Sequence, residues 1–397
     1  MLKFSLGDIM ANLENMHARA MKLYEEINLE EALKIYEEII KMNPIDEVAL
    51  SCVMDIYLEL DDKFNYYLAR ANVNISQNKI EYAINDTKKA LELDQENINA
   101  RRKLARLYKI ANKNLKAIDE FTRLLQLSPK EYDAYFELVE IYTKEQALDS
   151  AIVAALDGLI EFEGDEQLSN LLAQLYFKAN DLENAFKVAK SEFLKAKILL
   201  QGEKNQEAKS ILDSFIVDSL DEVGRKNYYI LSAQYFYNTK DFKSALLNVQ
   251  NYTKIATPDA LSFQMKALIY EELNDDFNAY LNWGFMKKLQ GKTDEAIAEF
   301  NNAYHENPND KTALVELARL YQKIKEKYVA MEFWQKVYDI DQDEEAKGIL
   351  AEFYYSEGNF EKAQEFGKEA PKKEKGAQEE ENYEGLLDKI MNFFAKK

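Results

Sequence analysis

The sequence predicts an all-α solenoid of antiparallel helix pairs, and three observations predict it. Small residues recur in pairs at a fixed interval, apolar residues fall at helical spacing, and glycine and proline are scarce, 12 and 5 in 397 residues. Ala71, Ala105, Val139 and Ala173 are each 34 apart, and Ala83, Ala117, Ala151 and Ala185 repeat the step twelve residues later. The pattern returns in Ala233 and Ala267, and in Ala245 and Ala279. It closes with Gly284, Ala318 and Ala351, followed twelve residues on by Ala296, Ala330 and Ala363. Such self-similarity marks an array in which each repeat is one helix–turn–helix unit.

The physical reason lies in how two helices cross. Each unit needs two amphipathic helices of roughly 12–14 residues, apolar at i, i+3, i+4 and i+7. Where their axes approach closely, only Ala or Gly fits. Tyr36, Phe121, Phe300 and Trp334, each four residues after the second small position, are assigned to the holes beside the crossing. Asn43-Pro44, Ser128-Pro129, Thr257-Pro258 and Asn307-Pro308 read as N-cap residues with proline in the first helical turn. Glu131 then stands at the capping-box position of Ser128. Pro371 is expected to close the last repeat.

Composition narrows the function. The content is 47% apolar and 31% charged, enough to fold. Few glycines and prolines disfavour sandwiches, barrels and glycine-rich phosphate loops. A formal charge of −20 argues against nucleic acid as a partner, because phosphate binding needs a basic surface. Acid excess by itself reads as solubility. One cysteine, Cys52, permits no intramolecular disulfide. Residues 1–8 do not read as a secretory signal, and no apolar run reaches membrane-spanning length, so the expected compartment is the cytoplasm.

Two stretches, Ala20…Ala32…Tyr36…Pro44 and Gly284…Gly291…Ala296…Phe300…Ala303…Pro308, resemble the tetratricopeptide repeat family. The resemblance covers about residues 13–370. It implies a right-handed superhelix of about 23 helices, without cofactor or catalysis, that binds a segment of another protein in a concave groove. Residues 1–12 precede the array, and irregular junctions are expected near 45–63, 191–225 and 274–292. An extra helix is expected over Asp46–Leu60. Three helices, Leu261–Leu273, Phe277–Gln290 and Thr293–His305, stand where two belong.

The charge pattern supplies the candidate groove. In this acidic chain one helix carries Arg101, Arg102, Lys103, Arg106, Lys109, Lys113 and Lys116. By the resemblance, the groove positions are Asn99, Arg102, Arg106 and Lys109, with Asn72 from the repeat before and Phe136, Asn170, Gln174 and Phe177 from those after. Two readings stand: these cations and amides receive a partner's carboxylates, or they pair with acids on neighbouring helices. The family's chaperone-tail clamp is matched at Asn72, but Leu68, Lys103 and Glu137 depart from it.

No catalytic or metal constellation emerges. His17 and His305 are the only histidines and read as structural, as does Cys52 among Leu50, Val53 and Met54. Gly291-Lys292-Thr293 looks like the end of a phosphate loop, yet Met286 occupies the place of its first glycine. The repeat explains the residues better, with Gly291 turning the chain and Thr293 capping a helix. No acidic run has EF-hand spacing.

Residues 371–381 form a charged linker. Beyond it, at 382–397, Leu386, Leu387, Ile390, Met391 and Phe394 share one helical face with Phe393 at its edge. This amphipathic segment is expected to cap the array, engage a partner or lie on a membrane as the anchor of a peripheral organiser. Its two acids against Lys389, Lys396 and Lys397 disfavour lipid.

Overall fold

The computed structural model describes residues 6–369, which contain 22 α-helices, one 3-10 turn and no strand. The chain divides into two compact units, Met1–Gly202 and Glu203–Lys397. The first begins with α1 (Leu6–Glu25), α2 (Leu29–Met42), α3 (Glu47–Glu59), α4 (Lys63–Ser76) and α5 (Ile80–Leu93). It continues through α6 (Ile98–Ile110), α7 (Asn114–Leu127), α8 (Tyr132–Lys144) and α9 (Leu148–Glu161). It ends with α10 (Glu166–Lys178), α11 (Leu182–Val188) and α12 (Glu192–Gln201).

The second unit opens with α13 (Asn205–Asp213), a 3-10 turn at Val217–Ser219, α14 (Glu222–Asn238) and α15 (Phe242–Ile255). Three successive helices follow: α16 (Ala260–Glu272), α17 (Asp276–Leu289) and α18 (Thr293–Glu306). The described chain closes with α19 (Lys311–Lys323), α20 (Lys327–Asp341), α21 (Glu344–Ser356) and α22 (Phe360–Glu365). Connections of a few residues make neighbouring helices antiparallel.

The small residues sit where the helices cross. Ala71, Ala83, Ala105, Ala117, Ala151, Ala173 and Ala185 are all fully buried. Tyr36, Phe121, Phe300 and Trp334 are the largest buried side chains beside them. A close crossing joins α17 to α18: a Cβ on Gly284 would stand 2.7 Å from the ring of Phe300. Buried apolar side chains form successive local clusters rather than one centre, as expected when each pair covers only its neighbours.

Turns within the pairs follow one rule. Asn78, Asn112, Gln146 and Asn180, each 34 apart, all have φ between 54° and 60°. The amide after each reaches back across the helix end, as in Lys79 N to Asn74 O (2.7 Å) and Ala147 N to Tyr142 O (2.8 Å). This is the left-handed helix stop that glycine fills most readily. Gly291 does so here at φ 74°, whereas Ile27 holds φ 60° despite its β-branch.

The proline turns correct the expected capping. Asn43, Ser128 and Asn307 are C-caps of the preceding helices α2, α7 and α18. Each carbonyl accepts an amide three residues on, at 3.1 Å from Asp46, 3.3 Å from Glu131 and 3.2 Å from Asp310. Proline therefore occupies the second position of a β-turn, where its fixed φ fits. The actual N-caps follow: Asp46 accepts from Ala49 N and Asp310 from Ala313 N, both at 2.9 Å. Thr257 is likewise not a cap: Asp259 caps α16 in a box with Ser262. Glu131 begins α8 without a side-chain cap bond, and Thr293 is the first residue of α18 rather than its cap.

Two stability outcomes follow from this geometry. Gly284→Ala drives a methyl into a fully buried ring and should destabilise its repeats by about 1–3 kcal/mol, read as a lower denaturation midpoint of the second unit. Ile27→Gly relieves a left-handed β-branched residue and should stabilise by about 1 kcal/mol. It should slow hydrogen exchange of the Asn28 amide, which bonds Leu23 O at 2.9 Å. An unchanged midpoint in the first variant, or faster exchange in the second, would contradict these packing and turn assignments.

Candidate functional site

The first helices of four successive pairs, α4, α6, α8 and α10, carry the expected groove positions. Side chains on α4, α6 and α8 reach across from helix to helix, so these three share one face. Arg102 donates from Nε and Nη2 to Glu131 Oε2 at 2.8 and 2.6 Å, and from Nη1 to Asn99 Oδ1 at 2.8 Å. Arg106 lies 3.2 Å from Asp133 and 3.4 Å from Glu137. Lys109 meets Glu137 and Glu140, each at 2.6 Å. Burial opposes the Lys109 charge, but the hydrogen bonds to Glu137 and Glu140 outweigh it and hold the ammonium above its ordinary range. Of the two readings left open, pairing with the neighbouring helix is the arrangement the structure holds.

Lys103 is different. It turns back towards α4 and donates to Asn72 Oδ1, with no carboxylate in an ion pair among the described residues. Burial without a countercharge lowers its pKa to about 8. Arg101 leaves this face altogether: it is 4% exposed, bonds Glu120 of α7 at 2.6 Å and also reaches the Gln95 carbonyl. Contrary to the one-helix expectation, Lys113 and Lys116 are not on α6, which ends at Ile110. Lys113 is the N-cap residue of α7 and pairs with Glu81 at 2.6 Å, and Lys116 lies on α7, 5.7 Å from the ring centre of Tyr108.

The remaining positions divide. Phe136 is half-buried against Tyr132, ring centres 5.0 Å apart. Gln174 is exposed. Asn170 does not offer its amide oxygen outward: it accepts from the backbone of Lys190 and Ser191, both at 2.9 Å. That bond pins the tight turn into α12, which follows the short α11. Phe177 is half-buried beneath Lys197, 5.2 Å from its ring centre. Asn170 and Phe177 thus serve the next pair. The tail positions Leu386, Leu387, Ile390, Met391, Phe393 and Phe394 lie outside the described residues, as does Pro371.

The acids of α8 are the residues that sequence reasoning underused. Glu131, Asp133, Glu137 and Glu140 follow their cations by 27 to 31 residues, just under one repeat. That offset between opposite charges was the available signal.

His17 Nε2 lies 3.1 Å from Asp46 Oδ2, joining α1 to the start of α3. Burial pushes the Asp46 carboxyl up, but the Ala49 amide, His17 and Asn43 outweigh it and hold it below its ordinary value. His305 is exposed in the last turn of α18, and Cys52 is half-buried against the α1–α3 core. Gly291-Lys292-Thr293 forms the α17–α18 turn. Among the described residues no group of three or more His, Cys, Asp or Glu could hold a metal.

Stacked antiparallel helix pairs, small at their crossings and repeating every 34 residues, define a helical-repeat protein. Residues 102–167, from α6 into α10, match the tetratricopeptide repeat family model. Over that stretch the chain carries tetratricopeptide-type repeats. Such repeats are generally non-catalytic interaction modules, so its coarse role is that of a protein–protein interaction scaffold. No curated protein matches it.

Similar solved structures include a Naa15/Naa10 assembly bound to HypK-THB, at 16% identity and TM-score 0.37. That match covers 89% of this chain and 62% of the other, so this chain spans less than two thirds of it. A tetratricopeptide repeat protein from Parabacteroides merdae aligns at 13% identity and TM-score 0.36, covering 73% of this chain and 98% of that one. Pseudomonas aeruginosa PilF aligns at 13% identity and TM-score 0.37, covering 61% and 97%.

Lys103 yields a pH prediction. Its folded pKa of about 8 lies below the ordinary 10.5, so above pH 8 the unfolded chain binds more protons. Stability from this group therefore rises as pH increases from about 8 towards 10. Lys103→Met should be the more stable protein at pH 7 and should flatten that rise, measured by denaturant unfolding across the range. A parallel pH profile in the variant would remove Lys103 as the cause.

Proposed function

We propose that this scaffold holds a segment of a partner protein along the face shared by α4, α6 and α8, with the cytoplasm as its expected compartment. Asn72, Asn99, Arg102, Arg106 and Lys109 would make the polar contacts, with Gln174 of α10 extending the strip. The observation that carries the reading is Arg106, whose side chain is 44% exposed and whose two ion pairs are long, at 3.2 and 3.4 Å. Exposed pairs of this kind contribute only about 0–1 kcal/mol. A partner's carboxylates can take over the guanidinium with little loss to the fold. Lys103 adds an ammonium that forms no ion pair among the described residues.

The matching ligand is an acidic segment, and its capture should weaken as salt rises. Arg102→Gln/Arg106→Gln should keep the helical content and melting midpoint of the wild type. It should lose cross-linked partners that the wild type captures at low salt. Recovery of the same partners at equal yield would remove this face from recognition.

A further inference from the structure

Helix α8 also borders a second, chemically opposite surface. Between α7, α8 and α9 lies a groove of about 590 Å³. Its floor is Tyr135, Leu138 and Tyr142, on the side of α8 away from Glu137 and Glu140. Leu125 of α7 and Val153 and Ile160 of α9 form apolar walls, with Val153 54% and Ile160 76% exposed. Asp149, Asp157 and Glu161 stand on the rim, and no lysine, arginine or histidine lines the groove.

The contrast with the first-helix face is the decisive point. There the carboxylates of α8 are matched by cations of α6. Here none of the three acids forms an ion pair among the described residues. Tyr135 registers two of them: burial first, then Glu161 and Asp157, raise its phenol above its ordinary range, while its hydroxyl donates to Pro129 O at 2.9 Å.

We infer that this groove docks a basic amphipathic helix from a partner protein. Asp149, Val153, Asp157 and Ile160 follow one another at steps of three or four residues, so acid and apolar groups alternate along one stripe of α9. From Asp149 to Glu161 the stripe is about 18 Å long, about three turns of a helix laid beside it. A partner helix with apolar residues at i, i+4 and i+7 fills the slot between α7 and α9. Lysines or arginines flanking that row meet the rim carboxylates. An acidic partner helix is repelled by all three.

The test uses the full chain and two synthetic helices of about 18 residues, one of Leu and Lys and one of Leu and Glu with the same apolar face. Fluorescence anisotropy reads binding, and hydrogen exchange reads its location. The Leu/Lys helix should bind, protect α9 and weaken with salt; the Leu/Glu helix should not bind. Asp157→Lys/Glu161→Lys should weaken Leu/Lys binding at least about tenfold, and Val153→Asp should do so without reversing the rim. Glu361→Lys/Glu365→Lys, the same change of charge in the other unit, controls for general attraction and should leave binding intact. Arg102→Gln/Arg106→Gln should also leave it intact, which separates this groove from the first-helix face. Equal losses in the groove and control variants, or protection away from α9, would overturn the assignment. A peptide of residues 382–397 that binds the groove as tightly would also overturn it, by making the occupant this chain's own tail.

Discussion

Close approach of paired helices governs everything else in this molecule. An alanine or glycine on one helix lets the partner's backbone come near enough for Phe300 or Trp334 to fill the adjoining hole. Once those crossings are set, α4, α6 and α8 of the first unit share one face. The chain then presents two kinds of surface from one repeated packing event. Larger residues at the crossings would spread the helices and dissolve both surfaces, since dense packing leaves no slack to absorb the volume.

Charge is distributed according to that division. On the first-helix side of α6 and α8, acids and cations from adjacent pairs face one another. Along the groove beside α9, Asp149, Asp157 and Glu161 form no ion pair among the described residues. Inside the pairs, ionic groups serve rigidity: Asp86, 4% exposed, collects Arg70 and Asn74 and fastens α4 to α5. Glu120 does the same for Arg101. These buried contacts make poor sites of exchange, because breaking them strands a desolvated charge.

Much of the architecture was legible because the crossing constraint is local and steric. An alanine every 34 residues announces a helix contact whatever surrounds it. Cap chemistry was less readable, since Asn43, Ser128 and Asn307 suit either end of a helix. Only the β-turn that places Asp46 or Asp310 next in line decides between the ends. The left-handed turn positions were mostly hidden by their residues, because asparagine, glutamine, lysine and isoleucine hold at most of them the conformation that glycine advertises at Gly291 and Gly358. Asn170 read as a groove amide because its spacing was right. Its actual bond to the turn at Lys190 and Ser191 depends on how short α11 is. The pairing of Arg102 and Lys109 needed the lateral reach of α6 towards α8, which composition does not encode.

The succession of local apolar clusters has a mechanical meaning. A load drawn along the first unit meets no single core that must fail at once. Each helix pair shares its apolar contacts with its neighbours, so rupture proceeds pair by pair and each released pair lengthens the chain before the next one yields. The ion pairs from α6 to α8 span the joints between pairs and stiffen them sideways. Such a stack extends under tension in small increments and recovers them in the same way, a compliance that a globular domain of equal length lacks.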